Sequence, residues 1–397
     1  KVSALVRDGK VLSCHTPTYG GIAEAVYKMA IGNGIGFEFS DKLSLCDIFS
    51  YLYGSFILEL SDDTQTGELL GYTTSDETIS YSGKSVALSS LSDTYEGVLE
   101  SVYKCNINQS ADNMKTFSFE GKKTFTSNIS VQKPKILIPV FPGTNCEYDS
   151  AKAAEAAGAE AEIFVINNLT PENVARSVSD FAQRIKNSQM IFIPGGFSGG
   201  DEPEGSGKLI TAFFRNGEIK DATANLLDSR GGLMAGICNG FQALIKLGLV
   251  PFGKIIDTDD TCPTLTFNTI SRHQSKIVNT RVASDNSPWL KYTHVGEIFS
   301  VPISHGEGRF IASDELINSL AENGQILTQY VDLNGNPTSD VQYNPNNSAY
   351  AIEGIMSPDG RVIGKMGHSE RIGSGLYKNV SGNYDMGLFK SAVEFFK

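Results

Sequence analysis

Nowhere in its 397 residues does the chain carry an apolar stretch of bilayer length, a run of basic residues, a C-x-x-C pair or a G-x-x-x-x-G-K-[ST] loop. The first absence leaves no credible transmembrane segment, because a spanning helix needs about 20 consecutive apolar residues. The second, with a net charge of -12 and a pI near 5.0, argues against nucleic acid, since phosphate binding needs a clustered basic surface. It leaves small anionic substrates open. The six cysteines, Cys14, Cys46, Cys105, Cys146, Cys238 and Cys262, are irregularly spaced with no histidine tract nearby, so no zinc site is expected and a reducing cytoplasm fits. The missing P-loop removes a Walker-type nucleotide site from this chain. The opening K-V-S-A-L-V-R-D-G-K has neither a charged n-region nor an apolar h-region and reads as a strand and turn. Beginning at Lys1, the chain is expected to be the tail of something larger.

What is present has two rhythms. Residues 1–105 alternate short strands (Ser3 to Val6, Gly36 to Phe39, Ser55 to Leu60, Leu69 to Tyr72) with helical patterns at Gly21 to Ala30 and Ser92 to Tyr103, an α+β arrangement. Residues 106–133 turn polar and read as a linker with room for a short hairpin or two. From 134 to 397 the pattern becomes β-α-β-α. Its members are the strand K-I-L-I-P-V, a helix from about Asp149 to Ala157, the strand A-E-I-F-V and a helix opened by Thr170, Pro171 and Glu172. A strand from Gln189 to Pro194, a helix from about Gly207 to Asp228 and a strand from Gly232 to Gly236 follow. Such alternation predicts a doubly wound, mainly parallel sheet with helices on both faces. Ligands in these sheets sit at the carboxyl ends of the strands, which puts the loops at 141–147, 195–204 and 236–240 on one rim. T-L-T-F-N-T-I-S-R and T-R-V-A-S alternate with period two, an antiparallel excursion before the final strands and a closing helix from about Met386 to Phe396.

The chemistry concentrates in G-I-C-N-G-F-Q, Gly236 to Gln242, after an apolar strand and before the helical A-L-I-K-L. A nucleophile between glycines at a strand-to-helix turn is what a nucleophile elbow requires, and the new helix points its N-terminus at the sulfur. Only a few per cent of a thiol with pKa near ~8.5 is ionised at neutral pH, so a base is needed. His368 in G-H-S-E-R has Glu370 two residues on, the same face of an extended segment, where a carboxylate fixes the tautomer and stabilises the imidazolium. His305 in S-H-G-E-G-R competes, with Glu307 also two residues later, although its glycines point to a hairpin or loop. Gly195 and Gly196 beside the elbow offer backbone N–H donors for an oxyanion. Cys146 in P-G-T-N-C-E lies on the same rim, in reach of a supporting role. Cys14, Cys46, Cys105 and Cys262 read as buried small hydrophobes.

Taken in order, P-G-G-F-S-G-G-D, G-I-C-N-G-F-Q, H-G-E-G-R-F and G-K-M-G-H-S-E-R resemble the class I, triad glutamine amidotransferase domain of the phosphoribosylformylglycinamidine synthases of purine biosynthesis, over about Pro134 to Lys397. The resemblance implies a flavodoxin-like fold. It implies that Cys238 attacks the glutamine carboxamide, that His368 and Glu370 complete a triad, and that the amides of Gly196, Phe197 and Asn239 hold the oxyanion. Gln242 would help hold glutamine, and His305, Glu307 and Arg309 would belong to a loop near an interdomain ammonia path. Residues 1–105, through H-T-P-T-Y-G-G-I-A-E-A-V-Y-K-M-A, are similar to the C-terminal half of an aminoimidazole ribonucleotide synthetase-like module. Tyr19 stands there where many relatives have an acidic residue, which implies a structural copy. Gly367 and Ser369 flank the triad histidine where many relatives carry prolines, so the rigidity of that loop is in question. The implied reaction converts formylglycinamide ribonucleotide, glutamine and ATP to formylglycinamidine ribonucleotide, glutamate, ADP and phosphate. The partners would be L-glutamine and upstream synthetase domains. ATP and Mg²⁺ would sit in the full-length synthetase, with no metal or cofactor held by this chain. The rival readings are a glutaminase serving another synthetase, a triad cysteine hydrolase or peptidase, and a non-catalytic interaction module.

Overall fold

The computed structural model describes residues 1–102, 112, 114–121, 125–200, 207–378 and 380–397. The chain divides into two compact units, 1–107 with 377–380, and 108–376 with 381–397. No described helix is long and apolar enough to cross a membrane.

In the first unit the elements run α1 (Val2–Arg7), β1 (Val11–His15), α2 (Gly21–Ala30), β2 (Gly36–Phe39), α3 (Leu45–Phe49), β3 (Ile57–Leu60), β4 (Gly71–Thr74), β5 (Thr78–Tyr81), β6 (Lys84–Ala87) and α4 (Leu88–Gly97). Strands β4-β2-β5-β6 form one sheet, and β1 pairs with β3 in a separate two-stranded ribbon. Helix α2 buries Ile22, Ala25 and Val26 against Phe39, Leu43, Ile48 and Ile57, the packing of a scaffold helix. Four expectations are corrected here. Ser3 to Val6 is helical rather than extended, because four residues of alternating pattern do not distinguish the two periods. The helix expected from Ser92 to Tyr103 begins at Leu88 and ends at Gly97, and Tyr103 lies outside the described residues. Strands β1, β5 and β6 were not expected. Cys14 and Cys46 are exposed and Cys262 is half-buried, because Cys14 falls on the outward face of the β1 ribbon and Cys46 on the outer face of α3. Cys105 is outside the described residues.

The second unit continues with β7 (Lys135–Val140), α5 (Glu147–Ala156), β8 (Glu160–Val165), α6 (Pro171–Asn187), β9 (Met190–Ile193), α7 (Lys208–Phe214), α8 (Gly217–Ala224), β10 (Leu233–Ile237), α9 (Asn239–Leu247) and the short α10 (Leu249–Phe252). Then come β11 (Thr264–Phe267), β12 (Gln274–Val282), β13 (Ile298–His305), β14 (Glu307–Ile311), α11 (Asp314–Glu322), β15 (Ile326–Val331), β16 (Ile352–Met356), β17 (Val362–Lys365) and α12 (Leu388–Phe395). Nine strands form one sheet in the order β13-β12-β15-β16-β17-β10-β9-β7-β8. From β17 to β8 neighbours are parallel, and from β13 to β17 they are antiparallel. The sheet is therefore mixed, and the antiparallel excursion is half of the main sheet rather than a separate piece. Every residue of β9 and β10 is buried, as expected where helices cover both faces.

Local chemistry explains the joints. Thr170 caps α6 by accepting from Asn173 N–H at 3.2 Å, with Pro171 in the first turn. The single helix expected from Gly207 to Asp228 is broken, because Asn216 restarts it as a cap that accepts from Glu218 N–H at 3.0 Å. The described part of the expected linker is an anchored strap. Phe117 is buried, its N–H donates to Gln329 Oε1 at 2.8 Å, and Phe119 N–H donates to Ala283 O at 2.9 Å. Burying one phenylalanine contributes roughly 1.5–3 kcal/mol, which with these hydrogen bonds offsets part of the cost of ordering the segment. Among the described residues of 106–133 the only β pairing is the isolated bridge of Phe119 with Ser284, not a hairpin.

Candidate active site

Strand β10 ends at Ile237 and α9 starts at Asn239, so Cys238 must carry the whole reversal, with φ 53° and ψ -107°. A non-glycine residue there costs on the order of 1–3 kcal/mol and points to function. The flanking glycines make the turn possible. A Cβ at Gly240 would lie 2.1 Å from Ile193 O, and one at Gly236 would lie 2.6 Å from the backbone of Gly240. The elbow is tied to its neighbours by Cys238 N–H donating to Lys365 O at 2.9 Å, and the thiol lies 3.8 Å from Ser304 O.

Strand β17 lies beside β10, so the chain leaving it delivers His368 to the same rim. His368 N–H donates to Pro302 O at 2.9 Å. Its Nδ1 and Glu370 Oε1 are 2.7 Å apart, with side-chain exposures of 2% and 0%. The Nε2 atom has no hydrogen-bond partner among the described residues, which leaves it for the thiol proton. Burial works against a charged ring, but the Glu370 charge, the sulfurs of Cys146 and Cys238 and the Glu370 hydrogen bond outweigh it, and the pKa stands well above the usual histidine value. Gly195 closes the cluster. A Cβ there would come within 2.7 Å of His368 Cε1 and 3.3 Å of both Cys238 Cβ and Cys146 Sγ. The bare backbone keeps open the space between Cys238 and His368.

Two further backbone amides lie near the elbow, at the loop after β9 and at the start of α9. Gly196 forms an isolated bridge with Thr144, flanked by Phe197 N–H donating to Gly143 O at 2.8 Å and Asn145 N–H donating to Gly195 O at 3.3 Å. The Gly196 amide falls between these two bonds and takes part in neither. Asn239 is the first residue of α9, so its N–H stands outside the helical ladder, at the end where the dipole favours negative charge.

Residues 133–396 match the CobB/CobQ-like glutamine amidotransferase domain. The chain belongs to that family. The amidotransferase is 33% identical over 284 residues to the phosphoribosylformylglycinamidine synthase subunit PurQ of Methanococcus maripaludis strain S2, covering 66% of this chain and 97% of that protein. It is 32% identical over 242 residues to the PurQ subunit of Aquifex aeolicus, covering 60% and 90%. A solved structure of PurLQS from Thermotoga maritima matches at 26% identity and TM-score 0.49, covering 67% of this chain and 100% of that one.

Two expected contacts are corrected in the amidotransferase. The Phe197 amide, expected at the oxyanion, donates instead to Gly143 O at 2.8 Å. Gln242 is 3% exposed and turned into the fold. Its Oε1 accepts from Asn239 Nδ2 at 2.9 Å and its Nε2 donates to Glu307 O, so it braces α9 against β14 instead of facing a ligand. Asn239 Oδ1 extends this brace to Ser198 N–H at 3.2 Å. The end of P-G-G-F-S-G-G-D at Asp201, with the expected rim through Glu204, lies outside the described residues.

His305 is not on a hairpin. It ends β13 in the main sheet, and after Gly306 the chain enters β14, which pairs with β11 instead. Asn268 pins the turn, its Nδ2 donating to His305 O at 2.9 Å and its N–H to Gly306 O at 2.9 Å. Arg309 Nε donates to Asn347 O at 3.3 Å. Both ring nitrogens of His305 are buried without a hydrogen-bond partner among the described residues. Burial first, then the charges of His368 and His273, push its pKa down to about 3. The unfolded imidazole titrates near ~6.5, so this contribution to stability is present above that pH. It should be lost at about 1.4 kcal/mol per pH unit as the pH falls towards the folded value. Urea denaturation at pH 7 and pH 4.5 should therefore show the gap between wild type and His305→Gln narrowing in acid. An unchanged gap would mean that the ring is solvated.

Cys146 takes a larger part than its sequence position announced. Its sulfur is 3.9 Å from His368 Nδ1, accepts from Arg371 Nη2 at 3.2 Å and donates to Asn145 Oδ1 at 3.1 Å. Among the described residues Cys146, His368 and Glu370 form the one group of potential metal ligands, within 4.8 Å of one another. The arrangement suits a triad better than a cation. Glu370 Oε1 already holds His368 Nδ1, and the Arg371 guanidinium occupies the sulfur. Arg371 itself is opposed by burial but raised above the usual arginine value by Cys146, Glu370 and Asp149. Glu353 and Lys365 went unread in the sequence, where their only signal was one charged residue inside each of two apolar strands, A-I-E-G-I-M and V-I-G-K-M.

Proposed function

We propose that the chain is the glutaminase portion of a phosphoribosylformylglycinamidine synthase, supplying ammonia for amidation of formylglycinamide ribonucleotide. One observation carries the reading: the strained Cys238 elbow shares a rim with the buried His368–Glu370 pair, and the bare backbone of Gly195 keeps the space between them open. The relatives at 33% and 32% identity, both PurQ subunits of that synthase, support the assignment of the pathway.

In this mechanism His368 takes the Cys238 proton through Nε2, and the sulfur attacks the carboxamide carbon of glutamine. The amides of Gly196 and Asn239 carry the negative charge that develops on oxygen, a contribution typically of ~10²- to 10³-fold per donor. Collapse breaks the C–N bond, with His368 returning the proton to the leaving nitrogen, and ammonia departs. Water, deprotonated by the same ring, then cleaves the γ-glutamyl thioester to glutamate and free thiol. Glu370 holds the ring in the tautomer that exposes Nε2 and stabilises its charge in both steps.

ATP and Mg²⁺ belong, on this reading, to the upstream synthetase partner. Residues 1–105 are a structural copy of the C-terminal half of an aminoimidazole ribonucleotide synthetase-like module. The scaffold packing of α2 and the exposed, non-acidic Tyr19 support that role. A cytoplasmic location goes with such a pathway. The test pairs the chain with the synthetase part of such an enzyme freed of its own glutaminase. Glutamine should then replace added ammonia in forming formylglycinamidine ribonucleotide. Glutamate release with product still dependent on added ammonia would assign the chain to another synthetase.

A further inference from the structure

The segment from β17 through the triad carries Gly367 and Ser369 on either side of His368 and no proline. Both residues are nevertheless gripped from below. Lys365, the last residue of β17, and Glu353, in the neighbouring β16, form an ion pair with Nζ and Oε1 3.3 Å apart and side-chain exposures of 1% and 0%. Glu353 Oε1 accepts from Gly367 N–H at 2.5 Å, a bond that proline could not make. Lys365 Nζ donates to Ser369 Oγ at 2.8 Å and to Gly367 O at 3.3 Å. The second Glu353 oxygen accepts from Thr328 Oγ1, so the pair is satisfied on all sides.

A buried ion pair is a poor source of stability, because desolvating the two charges offsets most of their attraction. Its bonds run to both residues that bracket the base, which gives it a different use. We propose that Lys365 and Glu353 are positioning residues for His368, holding the Gly367 backbone before it and the Ser369 side chain after it. Proline at position 367 is excluded by this packing. A Cβ at residue 367 would lie 2.7 Å from both methyls of Val301 and 3.0 Å from Glu353 Oε1, so the valine and the carboxylate fill the room that a proline would take.

The inference rests on the triad reading, and its test separates the two. In the full chain, Lys365→Met leaves an unpaired buried carboxylate and serves only as a first probe; the double variant Lys365→Met with Glu353→Leu removes both charges and decides the matter. For glutamine hydrolysis the double variant should lose about 10²-fold in kcat, the scale of a small misplacement of a catalytic group, with KM little changed and the cooperative melt retained. Alkylation of Cys238 by iodoacetamide, followed against pH, should shift in the double variant towards the profile of His368→Gln. A folded double variant with wild-type kcat and a wild-type alkylation profile would overturn the proposal. A His368→Gln variant that alkylates like wild type would overturn the triad reading beneath it.

Discussion

Cys238→Ser is expected to lower glutamine hydrolysis by ~10⁴-fold or more, the scale on which loss of a catalytic nucleophile is felt, while leaving the fold intact. The reasons are local. Serine fits the space and can adopt the same backbone angles, so the elbow between β10 and α9 survives. Its hydroxyl is far less ionised than a thiol and is a poor nucleophile without a strong base. The His368 ring, whose pKa is opposed by burial but raised by Glu370 and the neighbouring sulfurs, can hold the proton of a thiol but is too weak a base for an alcohol. Glutamate release measured under saturating glutamine, beside a thermal melt, checks this. Activity within tenfold of wild type would show that another group attacks the carboxamide.

The second large effect separates the two H-x-E histidines. His368→Gln should cost ~10²- to 10⁴-fold in glutamine hydrolysis, the usual contribution of a positioned acid–base group. His305→Gln should retain much of the activity. The difference follows from their surroundings. His368 has a carboxylate at 2.7 Å and a raised pKa, so it can hold the thiol proton. His305 has no hydrogen-bond partner for either ring nitrogen among the described residues and a pKa of about 3, so it stays neutral throughout the cycle. Steady-state rates of the two variants at one pH are sufficient, and the reverse order of losses would move the base to His305.

The gathering of Cys238 and His368 at the candidate site was legible in the sequence because the elbow obeys a local rule. A cysteine in a glycine-flanked stretch between an apolar strand and a helical run reads as a sharp strand-to-helix turn, whereas Glu370 reaches His368 through a turn, with Arg371 N–H donating to His368 O at 3.2 Å, and not along the extended segment expected. The parallel half of the sheet was legible for a similar reason, since K-I-L-I-P-V and the apolar runs at Met190 and Leu233 are too uniformly hydrophobic for anything but a strand covered on both sides. What local pattern could not give was pairing. That β12, β13, β15 and β16 extend the main sheet depends on register between strands distant in sequence. So does the brace from Ser198 through Asn239 and Gln242 to Glu307, which turned an expected ligand contact inward. The Phe197 amide was lost to Gly143 for the same reason, because the loops after β7 and β9 zip together across Thr144 and Gly196. Cys146 and Arg371 are 225 residues apart, and only the parallel arrangement of β7 and β17 across the sheet brings their loops to one rim. The first unit was less readable, since strands of four residues, such as β5 and β6, carry too little periodicity to be told from turns.

The central claim is that one sulfur, Cys238, is the atom that takes the acyl group from glutamine. Reaction of the full chain with a glutamine-analogue electrophile, followed by peptide mass measurement, tests it most directly because Cys146 lies in the same cluster and provides an internal competitor. The account predicts one adduct, on the peptide containing Cys238, formed in step with loss of glutaminase activity and absent from Cys238→Ser. An adduct on Cys146 or on any other cysteine, with Cys238 unmodified as activity disappears, would contradict it.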